Sequence, residues 1–484
     1  MNALTSIWRL SLPTLVLIGC AALVAPGAVA QKSSSSDKAK ERASKLLERA
    51  EAMAQRGSYS AALSTYKKVA KQYPATEAAS VARRRATPNA FLGCKELGNS
   101  GSEENRVDVV ILGDGYTLKH QRSFDRVARM VPRSFERNET LGEYFGYFRF
   151  VRANVTSKED GVDGLGRKFD TALGAFLSDE KRGFLDVDHG QVARMLKELD
   201  QHDGLSLVFV RAGKFGFAGH GTAIVGGREE KRIVHEWAHA FAGLGEEHAD
   251  PERPRVRQPQ PANVSTVADP KQVPWKHWIE AGARGIGVYP GADGQLQGAW
   301  KPMAAGCVMD EGEFFCAPCR EAIVLRIYDF VDPIESCAPA SHESSETRKP
   351  LGTAPEDLVV ESRMDFEVDV MRPKSHSLIV RWYLYPEKSA PEPMGQKGFS
   401  GPRSQRGKLP ALPGEPLEVD RRRCSTRDLS LDPRRYDAGR YKLVCEVRDE
   451  TRMRAEPLPW VLRDEQDVLI SRRAWWLRIV NEPR

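Results

Sequence analysis

His235 and His239 stand four residues apart with Glu236 beside the first of them, in the run Val234-His235-Glu236-Trp237-Ala238-His239. If residues 228–242 are helical, both imidazoles leave one face a single turn apart, the separation at which they can share a metal ion. Glu236 then lies beside that pair, where a carboxylate can take the proton of a metal-held water. The chemistry this spacing suits is hydrolysis. Ile233, Val234, Trp237, Ala238, Phe241 and Ala242 give the segment an apolar helical face, and Gly243 supplies a C-cap where the chain can turn sharply. A serine hydrolase is disfavoured because no Gly-x-Ser-x-Gly elbow occurs.

The elements around this helix read as an α/β domain with a mixed sheet. Val107-Asp108-Val109-Val110-Ile111-Leu112 and Leu205 to Val210 are buried strands, Tyr147 to Val155 is another, and Phe124, Val127, Ala128, Val131 and Phe135 recur at helical spacing. Thr222 to Val225 is a short strand just before the metal-site helix, placed to be the sheet edge on which an extended peptide lies as an added strand. Pro251 to Pro274 is a Pro-rich loop that would rim the cleft. Val273-Pro274-Trp275-Lys276-His277-Trp278 anchors it with two indoles, and His277 reads as a packed surface histidine.

Before this domain, Ala43, Leu46, Leu47, Ala50 and Met53, then Ala62, Leu63, Tyr66 and Val69, recur at helical spacing across Gly57-Ser58-Tyr59. The pattern resembles one tetratricopeptide-like hairpin over residues 38–86, and a helical pro-segment or spacer with no partner is the alternative reading. A single unit cannot bury its own face, so it must pack on the neighbouring domain, on a second copy or on a protein partner. After the α/β domain, residues 105–335, a polar linker at 341–357 leads to period-two strands in residues 358–484, among them Leu378 to Leu384 and Tyr441 to Val447. These predict an immunoglobulin-like β-sandwich with Trp382 in its core.

The 484 residues are 41% hydrophobic and 29% charged, a globular balance with length for roughly two or three domains. Arg9, the apolar run Leu10 to Ala25 and Ala28-Val29-Ala30 have the layout of a signal peptide over residues 1–30, followed by a flexible leader at 31–37. The predicted address is therefore exported: periplasmic, cell-surface or secreted. Leu17-Ile18-Gly19-Cys20 also fits a lipoprotein site, and lipidation at Cys20 is the only membrane attachment the sequence offers. A net charge of +6, with Arg421-Arg422-Arg423 lacking interleaved aromatic residues, gives no reason to expect nucleic acid. In an exported chain the cluster Cys307, Cys316, Cys319 and Cys337 predicts one or two disulfides in preference to a structural zinc, and Cys424 and Cys445 can staple two strands.

Several separated motifs carry a family resemblance. Leu112-Gly113-Asp114-Gly115-Tyr116-Thr117, Ser157-Lys158-Glu159-Asp160-Gly161-Val162-Asp163, the His235 motif with Phe241-Ala242-Gly243-Leu244, Val273-Pro274-Trp275-Lys276, Cys307-Val308-Met309 and Phe315-Cys316-Ala317-Pro318-Cys319 together resemble the bacterial IgA peptidase family of zinc metalloendopeptidases. The resemblance runs from Val107 to the C-terminus. It implies a metzincin-like catalytic domain, a trailing β-sandwich, a protein or peptide substrate, and Met309 as the methionine turn beneath the metal. Counting the metzincin interval from Gly243 makes Glu246 the third ligand. Relatives carry Asp-Glu-Tyr where this chain has Glu246-Glu247-His248, so Glu247 and His248 remain rivals.

The implied mechanism has Zn2+ on His235, His239 and Glu246 activating a water, with Glu236 as general base that passes the proton to the leaving amine. Tyr116 and His248 are candidates for the oxyanion partner. The competing class is a surface interaction protein on the same scaffold that binds metal without cleaving. Retention of Glu236 beside both histidines counts against it, because a structural metal needs no base.

Overall fold

The computed structural model describes residues 35–98, 105–179, 183–211, 216–227, 230–249, 261–344, 356–391, 402–417 and 427–480. The signal segment, Cys20, Arg421-Arg422-Arg423 and Cys424 lie outside them, as do residues 31–34 of the leader, 251–260 of the Pro-rich loop and 345–355 of the linker.

Three helices open the described chain: α1 (Ser35–Gln55), α2 (Tyr59–Gln72) and α3 (Glu77–Arg85), the last capped by Thr76, which accepts from the Ala79 amide at 3.2 Å. Ala43, Ala50, Ala54, Ala62, Ala79 and Ala82 let the helices approach closely around Tyr66 and Val69. Their shared face is closed by the next element, β1 (Phe91–Glu96), whose Leu92 joins the same core and whose carbonyl at Leu92 takes the Tyr66 hydroxyl at 3.0 Å. Of the three surfaces on which the hairpin could pack, its own neighbouring domain supplies one.

That domain continues with β2 (Val107–Asp114), helices α4 (Gln121–Ala128), α5 (Met130–Arg137) and α6 (Glu139–Glu143), then β3 (Phe148–Val155). A small hairpin, β4 (Phe176–Asp179) and β5 (Phe184–Asp186), precedes α7 (His189–Leu196), β6 (Ser206–Val210), β7 (Phe217–Gly219), β8 (Thr222–Gly226) and α8 (Glu230–Ala242). Six of these strands form a mixed sheet in the order β1-β3-β2-β6-β8-β7, with β3, β2, β6 and β8 parallel and the two outer strands antiparallel. The central strands are apolar on both faces because both are covered: Val109, Ile111, Leu207 and Phe209 pack with α5 and α8, while Val110, Leu112 and Val208 pack with α7.

The sheet ends differently from the sequence expectation. The edge is β7, not Thr222 to Val225, because His220 and Gly221, at φ 52° and 75°, form a two-residue turn that folds Phe217–Gly219 back on β8. After α8 come α9 (Lys276–Glu280), the hairpin β9 (Tyr289–Ala292) and β10 (Gln295–Lys301), a single 3-10 turn at Val308–Asp310, and α10 (Ala317–Phe330).

The last unit comprises β11 (Ile334–Ala338), β12 (Glu343–Ser344), β13 (Leu358–Val360), β14 (Met364–Val370), β15 (Ile379–Pro386), β16 (Asp428–Leu431), β17 (Gly439–Arg448) and β18 (Ile470–Ile479). One sheet runs β11-β14-β16 and the other β12-β18-β17-β15, with β13 beside β18. Phe366, Trp382 and Trp475 fill the common core between them, the two indoles stacked at 5.7 Å. The unit thus begins at Ile334, ahead of the polar linker, since β11 pairs with β14 across it.

Buried charge fixes this unit to the α/β domain. His376 donates from Nδ1 to Glu143 and from Nε2 to Asp449, each at 2.8 Å, and Asp449 also takes the hydroxyls of Tyr144 (2.9 Å) and Tyr328 (2.7 Å). Burial alone would lower the His376 pKa, but the hydrogen bonds to Asp449 and Glu143 outweigh it and lift it from 6.5 to about 9. A raised folded-state pKa stabilises fully below the unfolded value and is lost as pH climbs through the folded one. Between pH 6.5 and 9 this linkage removes on the order of 3 kcal/mol, a loss that chemical denaturation should register in the native chain and not in a His376→Asn variant.

Candidate metal centre

Helix α8 carries His235 and His239 on one face, their Nε2 atoms 3.1 Å apart. Each ring is set by its other nitrogen: His235 Nδ1 donates to the Val308 carbonyl at 2.9 Å, and His239 Nδ1 to the Leu244 carbonyl at 2.6 Å. With Nδ1 as donor, Nε2 bears the lone pair. Two Nε2 atoms this close repel if both are unprotonated, and a proton or a metal ion between them removes the repulsion.

The helix stops at Ala242, and Gly243, at φ 64°, turns the chain back. The returning loop is held from two sides. Its Glu246 carbonyl takes the Asp293 amide (2.9 Å) and its His248 carbonyl the Gly294 amide (3.2 Å), both from the β9–β10 turn. The Glu247 amide meanwhile donates to the Met309 carbonyl at 2.8 Å. This sets the Glu246 carboxylate 3.3 Å from His235 Nε2 and 3.2 Å from His239 Nε2, so that one ligand atom from each of the three residues lies within 4.8 Å of the others. Burial works against charge on His235, yet the hydrogen bond and charge of Glu246 outweigh it and lift its pKa to about 9. The pocket favours positive charge at this point. Two imidazoles whose Nδ1 atoms are engaged by carbonyls, together with a carboxylate, fit a divalent metal such as zinc, which would take the place of the proton on His235, and leave room for a further ligand.

Glu236 is 5% exposed on the same helix, and burial raises its carboxyl above the usual range against the opposing pull of His235 and His239. Space for it depends on Gly216, next to the edge strand: a Cβ there would come within 2.6 Å of Glu236 Oε1 and 2.2 Å of the Ile224 carbonyl. Neither Gly216 nor the carbonyls of Leu244 and Val308 can be recognised from residue type alone.

Of the other sequence candidates, His248 is half-buried at the rim with Nδ1 3.3 Å from Glu246 Oε2. Glu247 turns away, fully buried, to join Cys307, Cys316 and Cys319. Met309 is fully buried in the turn behind the centre, and the Tyr116 ring packs on Phe124 at 5.3 Å. His277 is the packed histidine expected, held by Glu321 at 2.6 Å. The disulfide expectation is overturned among the described residues, where Cys94, Cys307, Cys316, Cys319, Cys337 and Cys445 are all free thiols. Cys337 never reaches the cluster because β11 carries it into the β-sheet unit.

Residues 95–284 match the sequence model of the IgA peptidase M64 family. The match covers the segment that carries the site. The M64 match takes in β2 through α9, with His235, Glu236, His239 and Glu246 inside it, and ends before Cys307 and Met309. M64 is a family of metallopeptidases, which accords with a donor set suited to a metal. No curated protein matches the chain.

Proposed function

We propose that the protein is an exported, zinc-dependent metalloendopeptidase with a metzincin-like catalytic domain and an immunoglobulin-like β-sandwich behind it. The observation that carries this reading is the meeting of two Nε2 atoms 3.1 Å apart with the Glu246 carboxylate, beside a buried Glu236, within a segment that matches the M64 family. His235, His239 and Glu246 would hold the metal. Zinc, when bound, supplies the Lewis acidity that acidifies a water and polarises a carbonyl oxygen.

The chain's own residues do the rest. Glu236 accepts the proton of the attacking water as its oxygen bonds to the scissile carbon, then delivers that proton to the amine nitrogen as the C–N bond breaks. The outer edge of β7 offers backbone donors and acceptors to an extended peptide, which would bind as an added strand next to Glu236. His248 is positioned to orient Glu246 and to meet substrate oxygen at the rim. The signal-like segment at residues 1–30 supports export, and the substrate is accordingly a protein met outside the cytoplasm.

The test uses the purified chain and a denatured protein substrate. Digestion should stop on treatment with a zinc chelator and return when zinc is added back. Cleavage that persists after the His235/His239 centre has been stripped of metal would overturn the assignment.

A further inference from the structure

Immediately behind the first centre, four ligand-type side chains meet around a second point. Cys316-Ala317-Pro318-Cys319 opens α10, so that Cys316 caps the helix and Cys319 follows one turn later; Cys307 comes from the segment leading into the Val308–Asp310 turn, and Glu247 from the loop after α8. One ligand atom from each lies within 4.8 Å of all the others, and all four residues are buried. We propose that Cys307, Cys316, Cys319 and Glu247 bind a second zinc ion, structural in role. The inference does not depend on the peptidase reading.

The spacing discriminates between the chemistries open to three cysteines. A disulfide holds its sulfurs about 2.05 Å apart. Tetrahedral zinc with Zn–S bonds of about 2.3 Å separates two thiolates by about 3.8 Å. Cys307 and Cys319 Sγ atoms are 3.8 Å apart, and Glu247 Oε1 lies 3.4, 3.5 and 3.0 Å from the sulfurs of Cys307, Cys316 and Cys319. The Cys316 amide also points at Cys307 Sγ, 3.4 Å away, as a backbone donor to a thiolate does.

Glu247 supplies an independent argument. Its side chain is fully buried; Oε1 faces the three thiols and takes a further hydrogen bond from Asn263 Nδ2 at 3.0 Å, while Oε2 has no hydrogen-bond partner. A buried carboxylate with one oxygen unpartnered and the other facing three thiols is costly to ionise, and pairing two of the cysteines as a disulfide would remove two of its donors and leave the third thiol alone with it. A divalent cation accommodates all four donors at once. Because Glu246 and Glu247 are consecutive, such an ion would clamp the ligand loop to α10 and to the turn whose Val308 carbonyl orients His235.

The experiment measures zinc in the full chain and in the double variant His235→Ala/His239→Ala, with X-ray absorption on the latter. The wild-type chain should carry two zinc ions and the double variant one, in a shell of three sulfurs at about 2.3 Å and one oxygen. A double variant with no zinc, a remaining zinc bound only by nitrogen and oxygen, or a disulfide found among Cys307, Cys316 and Cys319 by mass spectrometry would each overturn the proposal. A wild-type chain holding a single, sulfur-bound zinc would support the second centre while refuting the first, so the two readings fail separately.

Discussion

Glu236→Gln should lower kcat for peptide cleavage by roughly 10²–10⁴-fold, the range for loss of a general acid–base, while zinc content and KM stay close to wild type. The substitution keeps shape and volume at a residue only 5% exposed, against Gly216 on one side and the histidine pair on the other. It removes only the ability to accept a proton. Neither carboxylate oxygen of Glu236 belongs to the group formed by His235, His239 and Glu246, so the metal donors remain intact. Single-turnover cleavage with parallel metal analysis decides the matter. Wild-type rates in a zinc-loaded Glu236→Gln enzyme would refute the proposed role, whereas a wild-type chain that binds zinc and cleaves nothing would favour the non-cleaving surface protein.

What could be read from the sequence was whatever depended on local period. Helix α8 declares itself because Val234, Trp237, Ala238 and Phe241 fall on the buried face that the four-residue histidine spacing also uses. The strands Val107–Asp114 and Ser206–Val210 are equally plain, since parallel strands covered on both faces must be apolar throughout. Strand β7 is not, being three residues long and defined by a turn in which His220 takes the left-handed conformation usually given to Asn or Asp. The four thiols close in sequence invited a single cluster, but partner choice by β11 separated Cys337 from the rest. Only the interval from Gly243 that the family resemblance implies favoured Glu246 over Glu247; residue type did not separate them. Successive residues of an extended loop face opposite ways, and which one meets the histidines is decided by the β9–β10 turn and by Met309, more than forty residues further along.

Those tertiary restraints make the loop's three polar residues separable by experiment. Glu246→Ala should weaken zinc at the histidine centre by more than about 100-fold, beyond the 10–100-fold typical of an outer-shell residue, and abolish cleavage with it. His248→Ala should fall within that outer-shell range, because its Nδ1 stands 3.3 Å from Glu246 Oε2 and His248 is no member of the three-residue donor group. Glu247→Gln should leave the histidine centre able to bind zinc and instead cost the chain its sulfur-bound ion, since the Glu247 side chain points toward Cys307, Cys316 and Cys319. Competition titration with a chelator of known affinity, run on each variant in the wild-type background, orders the three. If Glu247→Gln stripped the histidine centre while Glu246→Ala spared it, the two adjacent carboxylates would have exchanged roles, and the loop's hydrogen bonds to Asp293, Gly294 and Met309 would have to be rearranged in solution.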